Sequence, residues 1–151
     1  MSEHHILFVP TDAHFIPGPA AQGAGVTLLR GAWPTVREIT SEIWDYVQLH
    51  DCGENLECIR CPHCDATLDI DKWTVLLDGD RSQTGGFRLD PVSLPCCGKS
   101  STLNDLTYEW SQAFGRFALV ASAPGGKVPD DVLARLESAL GCRLRVIYRM
   151  Y

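Results

Sequence analysis

No apolar run in the sequence is long enough to span a membrane or to form the core of an export signal. The first candidate, Ile6-Leu7-Phe8-Val9, is short and stops at Pro10. Basic residues are scarce: 13 Lys and Arg face 19 Asp and Glu, a net charge of −6. An acidic body argues against nucleic acid as the main partner, because phosphate binding needs a basic face. A phosphate-cradling loop is also missing. Gly23-Ala24-Gly25 lacks the third glycine of a dinucleotide fingerprint, and Gly125-Gly126-Lys127 lacks the rest of a P-loop. The nucleoside-deaminase pattern needs His-x-Glu followed by Pro-Cys-x-x-Cys. Here His50-Asp51-Cys52 lacks the glutamate, and Arg60 precedes Cys61. Repeats and low-complexity segments are absent as well.

What remains is a 151-residue chain, the size of one ordinary domain, with 45% hydrophobic and 21% charged residues. Its charge is uneven. Residues 1–60 and 61–110 are acidic, whereas 111–151 carry six Lys and Arg against three Asp and Glu. Such a body suits docking on something basic, although a merely solvated surface explains the same charges. Seven cysteines, an odd number without an export signal, point to reduced thiols in the cytoplasm rather than to a disulfide framework.

Two cysteine hairpins carry the clearest chemistry. Zinc takes four soft ligands with sulfur at about 2.3 Å, so neighbouring sulfurs lie about 3.8 Å apart. Cys61-Pro62-His63-Cys64 supplies half of that on one turn. Leu94-Pro95-Cys96-Cys97-Gly98 is an imperfect second copy: Pro95 matches Pro62, Cys97 matches Cys64, and Leu94 stands where Cys61 should. Cys96 is the substitute, provided the chain turns sharply enough for adjacent side chains to reach one metal. Cys61, Cys64, Cys96 and Cys97 are therefore the expected ligands of a structural Zn2+. Cys58, three residues before Cys61, and His63 stay open as replacement ligands, and a Cys61–Cys64 disulfide is the redox alternative. Four sulfur ligands leave no open position for chemistry. Cys52 and Cys142 read as small buried apolar residues.

The elements order themselves around this insert. His5 to Val9 reads as a strand, and Pro19 starts a helix to Arg30 that Gly23 and Gly25 weaken. Val36 to Leu49 is read as a strand on its β-branched and aromatic content, although Val36, Ile39, Ile43 and Val47 also fit helical spacing. Asp69 could cap a short helix carrying Ile70, Trp73 and Leu77 that ends near Gly79, and Phe87 to Leu94 reads as a strand. Arg116 to Ala123 is strand-like. Pro129 then begins a helix with Val132, Leu133, Leu136 and Leu140 on one stripe, closed by Gly141. From Cys142 strict alternation sets Leu144, Val146, Tyr148 and Met150 against Arg143, Arg145, Ile147 and Arg149, a face expected to be solvated. The order β-α-β, insert, β-α-β predicts an α+β fold, a ferredoxin-like split βαβ sandwich over 1–151 with a zinc-ribbon module inserted at 57–110.

Other constellations are weaker. His50-Asp51-Cys52-Gly53-Glu54-Asn55 could hold a Cys/His nucleophile but reads more simply as a polar loop. Asp105, Tyr108 and Trp110 mix acid with aromatics, as partner-binding surfaces do, and packing over the zinc module is the plainer alternative.

Arg60-Cys61-Pro62-His63-Cys64, Pro95-Cys96-Cys97-Gly98, Ser101-Thr102-Leu103-Asn104-Asp105-Leu106 and the ending Ala139 to Tyr148 resemble a family of uncharacterised bacterial zinc-ribbon-containing proteins. Members sometimes carry a sugar-transporter ATPase label, which nothing in this sequence supports. The resemblance implies a genuine Cys96-Cys97 ligand pair and brings no activity. In general type, not in motif, the chain is similar to immunity proteins that neutralise polymorphic toxins. The expected function is a non-enzymatic, zinc-stabilised protein that binds a cognate toxin. A zinc- or Cys/His-dependent enzyme and a zinc-ribbon nucleic-acid binder using the C-terminal arginines are the rivals.

Overall fold

The computed structural model describes residues 3–151. In chain order its elements are β1 (His4–Pro10), α1 (Pro19–Ala32), β2 (Glu38–His50), β3 (Cys58–Arg60), β4 (Thr67–Leu68), α2 (Ile70–Asp80), β5 (Val92–Ser93), β6 (Ser100–Ser101), a short 3-10 turn (Leu103–Asp105), β7 (Thr107–Glu109), β8 (Ala113–Ser122), α3 (Asp130–Leu140) and β9 (Leu144–Met150). The fold is mixed α/β. A four-stranded sheet of order β2-β8-β1-β9 has every neighbouring pair antiparallel. None of the helices described is long and apolar enough to cross a membrane.

β1 is central and its apolar run is buried on both faces, which is why it shows no alternation. Ile6 and Phe8 look toward the helices and pack with Leu29 of α1, Phe117 and Leu119 of β8, and Leu136 of α3. Leu7 and Val9 look the other way, with Ala118 and Ile147. The helices form for local reasons that were legible in advance. Pro19 sits at the start of α1, and Gly141 ends α3 in the left-handed region (φ 76°), its N–H bonding to the Glu137 carbonyl. Gly25, a liability for helix formation, is buried where α1 meets α3. A methyl group there would stand 3.1–3.2 Å from side-chain carbons of Leu119, Leu136 and Leu140. Gly23 has open space around it.

β2 is a strand and not a helix, because pairing with β8 satisfies its backbone over Glu38–Ile43 and again over Gln48–His50, with a register irregularity between. Two sequence expectations fail. Phe87 to Leu94 is not one strand; Val92 and Ser93 form a short strand and Phe87 makes an isolated antiparallel bridge with Arg81. The cause is Asp80, buried at the end of α2, whose carboxylate accepts from the Leu89 and Asp90 N–H groups (2.8 and 2.9 Å) and wraps the chain around the helix end. Leu89 takes a positive φ of 56° in that wrap.

The second failure is the solvated face of β9. Ile147 is fully buried there, and the arginines beside it are engaged. Arg145 Nη1 donates to the Asn104 carbonyl and Oδ1 and to the Gln112 carbonyl (2.9, 3.0 and 3.1 Å). Arg149 donates to the Asp51 carbonyl and Oδ1 (2.8 and 3.2 Å). The segments that enter and leave the region between β2 and β8 thus lie over this face. Arginine, with a planar fork and an apolar stem, is suited to tie such segments down.

Between β2 and β8 the chain builds a three-stranded sheet, β4-β3-β7, and a two-stranded hairpin, β5-β6. Their apolar side chains share a core with α2, in which Ile59, Trp73, Leu94 and Leu103 meet Val47 of β2 and Phe114 of β8. Asp69 caps α2 as expected, its carboxylate accepting from the Asp71 N–H (2.8 Å), and the helix runs one residue past Gly79.

Candidate metal centre

The β3-β4 and β5-β6 hairpins are equivalent bond for bond at an offset of 33 residues. In the first, the Cys61 N–H donates to the Ala66 carbonyl and the Asp65 N–H to the Cys61 carbonyl. In the second, the Leu94 N–H donates to the Lys99 carbonyl and the Gly98 N–H to the Leu94 carbonyl. The flanking ladders match too: Ile59↔Leu68 and Arg60↔Thr67 correspond to Val92↔Ser101 and Ser93↔Ser100. Each turn closes with a residue at positive φ, Asp65 (63°) and Gly98 (74°). Glycine takes this conformation freely, and aspartate is among the few other residues that tolerate it. Asp65 is held by Arg60, whose Nε donates to its carboxylate at 3.0 Å.

This equivalence settles the second knuckle. Leu94 occupies the place of Cys61 in the same hydrophobic core, and its side chain has no atom that could ligate. Cys96 occupies the place of His63. Among the described residues, Cys61, Cys64, Cys96 and Cys97 form the one group of His, Cys and acidic side chains that could hold a metal ion, with all four sulfurs within 4.8 Å of one another. The Cys61–Cys97 Sγ separation is 3.8 Å, the value a tetrahedral thiolate site requires. The expected set of four is thus brought together, and the turn places neighbouring Cys96 and Cys97 on one side.

The remaining candidates lie elsewhere. His63 Nε2 bonds to the Ser100 carbonyl at 2.8 Å, which makes Nε2 the protonated nitrogen and uses the ring to staple the two hairpins. Cys58 faces away from the four sulfurs, toward Glu109 Oε2 (3.5 Å) and Arg60 Nη1 (3.7 Å); Arg60 is itself ion-paired to Glu109. All seven cysteines are free of disulfides.

Within the cluster, Cys61 and Cys96 hold their protons unequally. Burial pushes the Cys61 thiol up, but the N–H groups of Cys64 and His63, at 3.5 and 3.3 Å, together with the Cys96 and Cys64 thiols, outweigh it and bring Cys61 down to about 6. Cys96 is pushed up to about 12 by its hydrogen bond to Cys64, by burial, and by Cys61 and Cys97. The Cys61 thiolate forms readily and suppresses ionisation of Cys96. A divalent cation at the centre would relieve that repulsion and would be held by the four sulfurs as thiolates.

The Cys/His pair considered as a nucleophile is shut away. His50 is 3% exposed, bonds through Nε2 to the Gly115 carbonyl (3.1 Å), and is held down at about 4 by burial. Cys52 is fully buried and pushed up to about 11 by burial, so it is a thiol at neutral pH. Of the proposed partner-binding residues, Tyr108 is a correction. Its hydroxyl donates to the Leu103 carbonyl (2.6 Å) and accepts from Trp73 Nε1 (3.1 Å) inside the core, out of reach of a partner. Asp105 is exposed and accepts from Thr102 Oγ1 (2.9 Å), and Trp110 is 39% exposed. Sequence reasoning missed Asn104 and Gln112, which anchor Arg145; nothing in their local pattern marks them. Compared with protein-family models, curated proteins and solved structures, the chain matches none.

Proposed function

We propose that the chain is a non-enzymatic, zinc-stapled binding protein that acts by docking on a basic protein partner, most concretely as an immunity protein against a cognate toxin. Zinc is the metal we assign, because four thiolates at tetrahedral spacing suit it and leave it no open position for chemistry. A bacterial cytoplasm, where thiols stay reduced, is the compartment we assign. The fold we propose is a ferredoxin-like sandwich carrying a zinc ribbon; the strand order β2-β8-β1-β9, with α1 and α3 on one face, supports it.

One surface carries this reading, the outer edge of β2 over Glu38–Ile43; farther along that edge the Phe87 N–H donates to the Val47 carbonyl and Gly85-Gly86 pack against Tyr46. That strand pairs with β8 on one side. It exposes Ile43 (54%) and Tyr46 (45%) among the carboxylates of Glu38, Glu42 and Asp45. Apolar side chains ringed by acids on an edge strand suit pairing with a basic partner segment. This edge replaces the face expected around Asp105, Tyr108 and Trp110. The test is to identify the neighbouring genes and co-express this protein with any toxin-like product they encode. A co-purifying complex and restored growth are expected, with both lost in an Ile43→Arg, Glu42→Arg variant. If the unaltered protein neither binds nor rescues, the reading fails.

A further inference from the structure

At the end of the main sheet where β1 begins and β8 and β9 finish lies a cavity of about 700 Å³. That volume falls in the range of small-molecule sites, about 300–1,000 Å³. Ile6, Tyr148 and Met150 form an apolar floor, the loop from Ala123 to Lys127 one wall, and Trp110 another. The two aromatic side chains are fixed before any ligand arrives. Their rings pack edge to face with centroids 6.1 Å apart. Trp110 Nε1 donates to Glu57 (3.2 Å), and the Tyr148 hydroxyl accepts from the Val128 N–H (3.1 Å).

The rim reverses the charge of the molecule. In a chain of net charge −6, Arg37 and Lys127 meet at this cavity, both exposed. Neither has a carboxylate partner among the described residues. Arg149 also lines the cavity and is paired with Asp51, and Glu3, the one acid in the lining, lies 3.5 Å from the His5 ring, leaving the two free cations in excess of it. Two unneutralised cations above an ordered aromatic pair are the recognition elements of an aromatic anion. The ring stacks on the face of one aromatic and meets the other edge to face, since their planes are 79° apart, and a carboxylate or phosphate meets the guanidinium and ammonium groups.

We propose that this cavity is a binding site for a small planar aromatic anion. None of the four cysteines of the metal centre lines the cavity. Isothermal titration of the zinc-loaded protein with AMP and with indole-3-acetate separates the phosphate and carboxylate sources. Adenosine and indole-3-acetamide are the neutral controls, and ribose 5-phosphate is the anion without an aromatic ring. At least one of the two aromatic anions is expected to bind below about 1 mM, with its neutral and ringless counterparts weaker by about tenfold or more. An Arg37→Gln, Lys127→Gln variant should lose about tenfold, and Arg37→Lys, Lys127→Arg should retain binding. Both pairs are at the surface, so folding and metal content should not change. Trp110→Ala should weaken the same ligand. The proposal is overturned if neither anion binds up to about 5 mM, if the neutral analogues bind equally well, or if the Gln variant binds like the parent.

Discussion

Replacing Cys96 by serine removes one of four sulfurs that lie within 4.8 Å of one another and leaves the hairpin's backbone bonds in place. A structural zinc site contributes about 10–16 kcal/mol in all, so one of four thiolates accounts for about two to three orders of magnitude in affinity. Competition against a chromophoric chelator should register that loss for Cys96→Ser. Cys58→Ser should register none, because Cys58 points at Glu109 and Arg60. The hairpin equivalence adds a sharper arm. Leu94 holds the position of Cys61, so Leu94→Cys introduced into Cys96→Ser rebuilds an ordinary Cys-x-x-Cys knuckle. It should recover most of the lost affinity, at a cost of about 1–2 kcal/mol in core packing. Unchanged metal affinity in Cys96→Ser, or a loss in Cys58→Ser comparable to it, would refute the assignment. Failure of Leu94→Cys to rescue would refute the equivalence.

Three further outcomes are expected. Gly25→Val should destabilise by about 1–3 kcal/mol in urea melts, since its methyls meet Leu119, Leu136 and Leu140, whereas Gly23→Ala should stabilise by about 0.5–1 kcal/mol. His50, held at about 4 by burial against an unfolded value near 6.5, binds its proton more weakly in the folded protein. Its contribution is present above pH 6.5 and is lost as pH falls toward 4, amounting to about 2 kcal/mol between pH 8 and 5. The His50 ring resonances should therefore show no titration above pH 5 in NMR spectra. Arg145→Ala strands the Asn104 and Gln112 carbonyls, while Asn104 Oδ1 keeps the Phe114 N–H, and should cost about 2–3 kcal/mol, with hydrogen exchange accelerated first in the 104–112 segment.

The sequence by itself determined the local pieces: the capped start of α2, the Pro and Gly boundaries of α1 and α3, the run of β1, and both cysteine turns. These depend on near neighbours, through caps, turn residues and periodicity, so they can be read along the chain. The place of Cys96 beside the other three sulfurs was legible too, because Leu94 broke the repeat in a place that Cys96 could mend. Tertiary structure decided what was distant in sequence. Asp80 turned Phe87 to Leu94 from a strand into a wrap. Asn104 and Gln112 recruited Arg145, and Asp51 recruited Arg149, from a face that alternation alone assigned to water. Tyr108 went inside because its hydroxyl found partners in Leu103 and Trp73, without which burial would be costly. Cys58 and His63 left the metal set for the same kind of reason. Each had a better partner across the fold, at Glu109 and at Ser100, and no spacing rule along the chain could display it.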